Sequence, residues 1–265
     1  IRGGKTSYSL SENVNANTVA QMMVQIIMFF IGYLSIKVNR KVKYNKYILI
    51  LILIIIAFIE IYMTGSRSAI FAVIMGLILL VAFKKYYSYS FIKATFIMLV
   101  FLCGTFLMIL NVPALFERLN ILRIIESGGS GRVAMILAEI KYIIPQNLWF
   151  GVGIGTTSEV AALEPYFPYT PYSATNIVFS MLTQVGILGT VAFLSYFIII
   201  IRRVIKFRYF YGVILIPGLM FVSALFQGIG ENVFYERYLW NTIAIICVCF
   251  RLSKKDLSLK KEKAH

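Results

Sequence analysis

Clusters of Lys and Arg alternate with long apolar runs along this chain, and that alternation limits the fold more than any motif does. Hydrophobic residues make up 60% of the 265 positions and charged residues 14%. Several apolar runs approach the length of about 20 residues that a helix needs to cross a bilayer. The pattern predicts an all-α polytopic membrane protein with about seven transmembrane helices. They are expected over Thr18–Ile36, Ile48–Met63, Ile70–Phe83, Phe91–Leu110, Asn176–Ile201, Val213–Ile229 and Val233–Phe250. A net charge of +15 invites a nucleic-acid reading, but the positive residues lie in short clusters between apolar runs rather than in one stripe. Of the 26 Lys and Arg, 18 fall around 37–46, 84–93, 202–208 and in the tail, accompanied only by Asp256 and Glu262. By the positive-inside rule that side is cytoplasmic. Residues 1–17, Arg67, the long loop and Glu231 are then outside.

The organisation expected is an outer loop at 1–17 and a four-helix membrane segment at 18–110. A long extracytoplasmic loop follows at 111–175, then a three-helix segment at 176–250 and a basic tail at 251–265. Starting at Ile1 with no apolar run before Thr18, the chain reads as the C-terminal part of a longer protein. Cys103, Cys247 and Cys249 lie in apolar runs. An i,i+2 pair such as Cys247 and Cys249 faces two sides of a helix and cannot chelate a metal. No spacing for a metal or a cofactor is present.

The chemistry centres on Thr64-Gly-Ser-Arg-Ser-Ala69, which joins two apolar runs. As helices these runs would span about 24 Å and about 21 Å, less than the hydrocarbon thickness of about 30 Å. The turn is therefore expected to be sunk below the outer face. A guanidinium there is costly unless bound, and its donors match phosphate oxygens two at a time. The alternative is an arginine that snorkels to the headgroups.

The long loop carries its own helices. Pro113–Ser127 is amphipathic, with Leu115, Leu119, Leu122 and Ile125 on one side. After Gly128-Gly-Ser-Gly131 a second helix is expected from Arg132 to Ile144. Arg132 then lies in a first turn, where backbone N–H groups attract anions; an interfacial arginine in a solvated loop is the alternative. Gly151-Val-Gly-Ile-Gly155 lacks the strand that a nucleotide loop needs. It reads instead as a turn that brings the loop close to the bundle. The aromatic and proline-rich Glu164–Tyr172 stretch reads as a headgroup belt. Glu60 and Glu231 are each a base for a hydroxyl or, more commonly, the partner of an arginine. His265 lies in the tail, so no outer histidine is available.

Four of these stretches, taken together, resemble the O-antigen ligase and polysaccharide polymerase superfamily. Thr64–Ala69 resembles its first signature. Gly131-Arg132, a helix and Asn147–Gly155 resemble the second. Thr175-Asn176 leading to Gln184-Val-Gly-Ile-Leu-Gly189 resembles the third, and Asn15–Ala20 resembles the start of an earlier span. The third signature usually reads His-Asn in the ligases, and here it reads Thr-Asn.

The resemblance implies transfer of a glycan from a polyprenyl pyrophosphate carrier to a sugar hydroxyl on the outer membrane face, without cofactor, metal or nucleotide sugar. It implies Arg67 and Arg132 as holders of the leaving pyrophosphate and Asn176 as a residue orienting the acceptor or a neighbouring loop. Ser66, Ser68, Thr175 and Glu60 are the other substrate-binding candidates, and Glu231 is the first candidate base. Thr175 favours a capsule, exopolysaccharide or O-antigen repeat-unit polymerase over a ligase. The partners expected are lipid-linked donor and acceptor, membrane lipids, a flippase and a chain-length regulator, and no nucleic acid. A flippase for lipid-linked oligosaccharide is the competing class, but it would carry internal repeats and charges spread through membrane depth. A non-catalytic scaffold of an envelope machine is the other competitor, and loss of Arg67 would leave it working.

Overall fold

In the computed structural model, described here for residues 16–35, 44–82, 100, 104, 136–156, 176–207 and 212–262, these residues contain helices and no strand. The principal elements are α1 (Ala16–Ser35), α2 (Tyr44–Thr64), α3 (Arg67–Ala82), α4 (Ile177–Phe207), α5 (Leu215–Gln227) and α6 (Arg237–Glu262). A π-helical turn, Glu139–Ile143, and a 3-10 turn, Pro145–Asn147, lie in the long loop. The expected fourth span and the amphipathic helix at Pro113–Ser127 fall almost wholly outside the described residues.

Long apolar runs explain most of these helices, and α2 carries neither Gly nor Pro. Two of them, over Ala16–Leu34 and Ile177–Lys206, are both long and apolar enough to cross a membrane; Ile48–Thr64, Arg67–Leu80 and Leu215–Gln227 are shorter apolar helices. The added length of α2 is its polar start at Tyr44–Tyr47, so the apolar part still ends at the Thr64 turn. The loop helix does not stay α-helical to Ile144 as expected. It widens into the π turn, and Pro145, which has no N–H to continue the ladder, opens the 3-10 turn. Nor does α6 end at Phe250: no Gly or Pro interrupts it, and the helix continues through the basic tail to Glu262.

The core gathers around α1, which packs on α2, α3 and α5, while α5 also packs on α3, α4 and α6. Val24, Ile27, Met28 and Ile31 of α1 are buried with Ile54, Ile61, Val73, Leu77, Leu219 and Phe221. Leu49, Ile52, Ile56, Ile59 and Met63 of α2 remain exposed. In water such a face would be a liability; against lipid it is the ordinary surface of a membrane helix.

Three contacts fix the relative directions. Gly32 of α1 lies against Ile216 of α5, its β position 3.3 Å from the Ile216 Cα. A β-carbon on Gly76 of α3 would run into Met28 of α1 and Ser223 of α5. The Phe71 and Phe226 rings meet edge to face at 5.9 Å. Helix α5 therefore runs antiparallel to both α1 and α3. The starts of α1 and α3 and the end of α5 share one end of the bundle.

Candidate functional site

Ser66 opens α3. Its carbonyl accepts the Ile70 N–H at 3.2 Å, so Arg67 is the first residue of the helix. The turn before it is built by local polar groups. Gly65, at φ 61°, donates to the Tyr62 carbonyl at 3.0 Å. Thr64 Oγ1 donates to Ile61 O at 2.7 Å and accepts from Ser66 N at 3.3 Å. Ser66 and Ser68, both buried, share a hydroxyl contact at 3.1 Å. Arg67 is half-buried. Its cation thus stands where the first-turn amides and the positive end of the helix dipole already favour an anion. The sequence reading gave a helix start to Arg132 and depth to Arg67; here Arg67 has a helix start. Arg132 and Thr175 lie outside the described residues.

The glycine-rich segment docks on a break in α4. Gly186 has φ 66° and ψ −171°, which interrupts that helix. A break of this kind orphans two carbonyls and two N–H groups inside apolar surroundings. The loop supplies a partner for each. Val152 N and Gly153 N donate to Thr183 O and Gln184 O at 2.8 and 2.9 Å, and Ile187 N and Leu188 N donate to Leu148 O and Trp149 O at 2.9 and 3.4 Å. The approach requires glycine on both sides, since a β-carbon on Gly151 would strike the Gln184–Val185 backbone and one on Gly186 the Trp149–Phe150 backbone. This joins the second and third signatures into one unit.

A polar network ties that unit to the last hairpin. Gly155 N donates to Tyr235 Oη at 3.0 Å and to Gln184 Oε1 at 3.1 Å, and Tyr235 Oη donates to Gln184 Oε1. Gln184 Nε2 and Asn232 Nδ2 both donate to Ser180 Oγ, at 2.7 and 2.9 Å.

Asn176 caps α4: Oδ1 accepts from Val178 N at 2.8 Å, and Nδ2 donates to Ile229 O at 2.7 Å. The Ile177 N–H reaches Gly228 O at 2.8 Å. Glu231 follows in the same turn, its N–H on Gln227 O at 3.1 Å. Since Gln227 ends α5, the structure brings Arg67, Asn176 and Glu231 to one end of the bundle. Glu60 is half-buried on α2, about one turn before Thr64.

One carboxylate escaped the sequence reading. Glu139 is 1% exposed, its Oε2 has no hydrogen-bond partner among the described residues, and burial raises its pKa from 4.5 to about 7. The signal available was an acid on the apolar side of the loop helix, three residues after Ile136. A raised carboxyl pKa favours the neutral fold, so its contribution to stability is present at low pH and lost as pH rises from 4.5 to about 7. By linkage that loss is about 3 kcal/mol. Glu139→Gln should therefore flatten the stability–pH curve across this window, read from unfolding midpoints in detergent between pH 4.5 and 8. An unchanged slope would show that Glu139 is ionised throughout.

The described part is an all-helical apolar bundle of the membrane class, with a cation-headed helix and a docked glycine loop at one end. The family profile described as O-antigen ligase matches residues 51–194, more than half of the chain, and the chain belongs to that family. The matched stretch contains the three signatures at Thr64–Ala69, 131–155 and 175–189. The family is membrane-associated in bacteria and acts in glycan transfer of the ligase or polymerase kind on lipid-linked substrates. A search of curated proteins finds no match. Among the described residues no group of three or more His, Cys, Asp or Glu side chains could hold a metal ion.

Proposed function

We propose that this chain is a repeat-unit polymerase, working on the outer face of the bacterial cytoplasmic membrane within a seven-span topology. It would extend capsule, exopolysaccharide or O-antigen chains from polyprenyl-pyrophosphate-linked oligosaccharides. The observation that carries the reading is Arg67 at the start of α3, at the same bundle end as Asn176 and Glu231. An acceptor hydroxyl oxygen attacks the anomeric carbon of the donor sugar, and the bond from that carbon to the diphosphate oxygen breaks. Negative charge builds on the leaving diphosphate, where Arg67, with Arg132 as its proposed partner, stabilises it. The hydroxyl proton goes to a carboxylate, for which Glu231 is the first candidate. Thr175 at the ligase histidine position, and His265 as the only histidine, favour polymerase over ligase.

The test is gene deletion with analysis of the carrier lipids. Single repeat units should accumulate on the carrier, and restoring the Glu231→Gln variant should leave that accumulation in place. Long chains stranded on the carrier would identify a ligase instead, and a transfer rate of Glu231→Gln equal to wild type across pH would remove Glu231 from the mechanism.

A further inference from the structure

Helices α1 and α5 enclose a seam of uncharged polar side chains. Gln21, Gln25, Met28 and Gly32 fall on one face of α1, and Ile216, Leu219, Ser223 and Gln227 on one face of α5, at spacings of three and four residues. The antiparallel contacts of Gly32 with Ile216, and of Met28 and Ser223 around Gly76, set the two faces against each other. Gln21 and Gln25 then lie opposite Gln227 and Ser223. Exposure is 3% for Gln21, 5% for Gln25, and 0% for both Ser223 and Gln227. Among the described residues, no hydrogen-bond partner reaches Gln21 Oε1, either amide atom of Gln25 or Gln227, or Ser223 Oγ.

So many unpaired polar atoms in one apolar seam are costly. Each buried group without a partner costs about 1–3 kcal/mol, and leucine in the same places would pack at no such cost. Polar residues between membrane helices usually hydrogen-bond across the interface, whereas Gln21 Oε1 and the other five side-chain atoms find no partner among the described residues. The seam also reaches the candidate site. Gln227 is the last residue of α5, and its carbonyl holds the Gly230 and Glu231 N–H groups at 3.0 and 3.1 Å. Opposite lie the first turns of α3, from Arg67 to Ala72.

We propose that Gln21, Gln25, Ser223 and Gln227 form a binding site for a sugar ring of the lipid-linked glycan, entered from the Glu231 end as α1 and α5 part. The proposal deepens the polymerase reading and rests on it for the identity of the glycan. The chemistry selects the ligand: a carboxamide both donates and accepts, as sugar hydroxyls require, and among the described residues the facing sides of α1 and α5 carry no positive charge for a phosphate. Arg67 holds the diphosphate nearby, so one substrate can occupy both.

The test uses the purified protein in detergent, with glucose, galactose and N-acetylglucosamine as probes and sorbitol as the osmolyte control. At least one ring sugar should raise the unfolding midpoint beyond sorbitol. The double variant Gln21→Leu/Gln227→Leu should lose that difference, unfold at a higher temperature than wild type without sugar, and raise KM for a synthetic polyprenyl diphosphate oligosaccharide at least tenfold. Ser223→Ala, nearly neutral in volume, is the second variant should the double variant fail to insert, and should diminish the same sugar response. The proposal is overturned if no ring sugar exceeds sorbitol in wild type, or if the variants keep the response and the KM, which would make the seam a packing feature. Sugar binding in a protein that transfers no glycan would leave this site standing and defeat the polymerase reading instead.

Discussion

Replacing Arg67 with alanine should lower glycan transfer at least ~100-fold while the protein still inserts and folds, since removing one preorganised donor to developing charge costs about 10²–10³ in rate. The effect is expected in the chemical step. The diphosphate gains charge as its bond to the sugar breaks, and the Arg67 side chain would share that charge with the first-turn amides of α3. Arg67→Lys should recover less than a tenth of the loss, because an ammonium is a point charge that cannot bind two oxygens in the guanidinium plane. Helix α3 retains its Ser66 start in both variants. The assay is single-turnover transfer with a synthetic lipid-linked donor, with insertion checked by membrane fractionation. Wild-type rates in Arg67→Ala would remove the diphosphate role, and a fully active lysine variant would show that charge alone suffices.

The second large effect is expected at Gly186. A β-carbon there would overlap the Trp149–Phe150 backbone, and φ 66° with ψ −171° is a region only glycine occupies readily. Gly186→Ala should undock the loop and expose the four backbone bonds at the α4 break. Those bonds, together with the strained backbone, amount to a loss on the order of 5 kcal/mol. Hydrogen exchange should rise at the Val152, Gly153, Ile187 and Leu188 amides, and transfer should fall with it. Gly155 provides the contrast. Its φ of 84° is also positive, but a β-carbon there meets nothing within 4 Å, so Gly155→Ala should cost only about 1–2 kcal/mol. Equal protection in Gly186→Ala and wild type would show that the loop is not held by the break.

The reading of Gly151–Gly155 shows where sequence reasoning reaches its limit. Without a strand before it, the segment was recognisable as a close-approach turn rather than a nucleotide loop. What it approaches was not recognisable, because the acceptors are backbone carbonyls at Thr183 and Gln184, and backbone groups have no sequence signature. Asn176 is similar: it was expected to orient the acceptor or a neighbouring loop, whereas its cap on α4 and its reach to the Ile229 carbonyl depend on how the last hairpin folds back. Glu139 was passed over because a single acid on a helix reads as solvated; its raised pKa arises from burial by segments remote in sequence.

The sequence by itself determined the apolar helices, the family and the three signatures, for these depend on local composition and short-range order. It also placed Gly65, Ser66 and Arg67 in the junction between two apolar runs, although the helix begins at Arg67, three residues before the apolar run at Ile70. Only the tertiary structure decided that the second and third signatures dock on one another. The charge pattern already put Arg67 and Glu231 on one side, but the tertiary structure alone faced Gln21 and Gln25 towards Ser223 and Gln227. Each of these depends on the register between helices far apart in the chain, and register is set by contacts such as Gly32 on Ile216 and Gly76 on Met28. Such contacts follow from the packing of whole helix faces, which no local stretch of residues encodes.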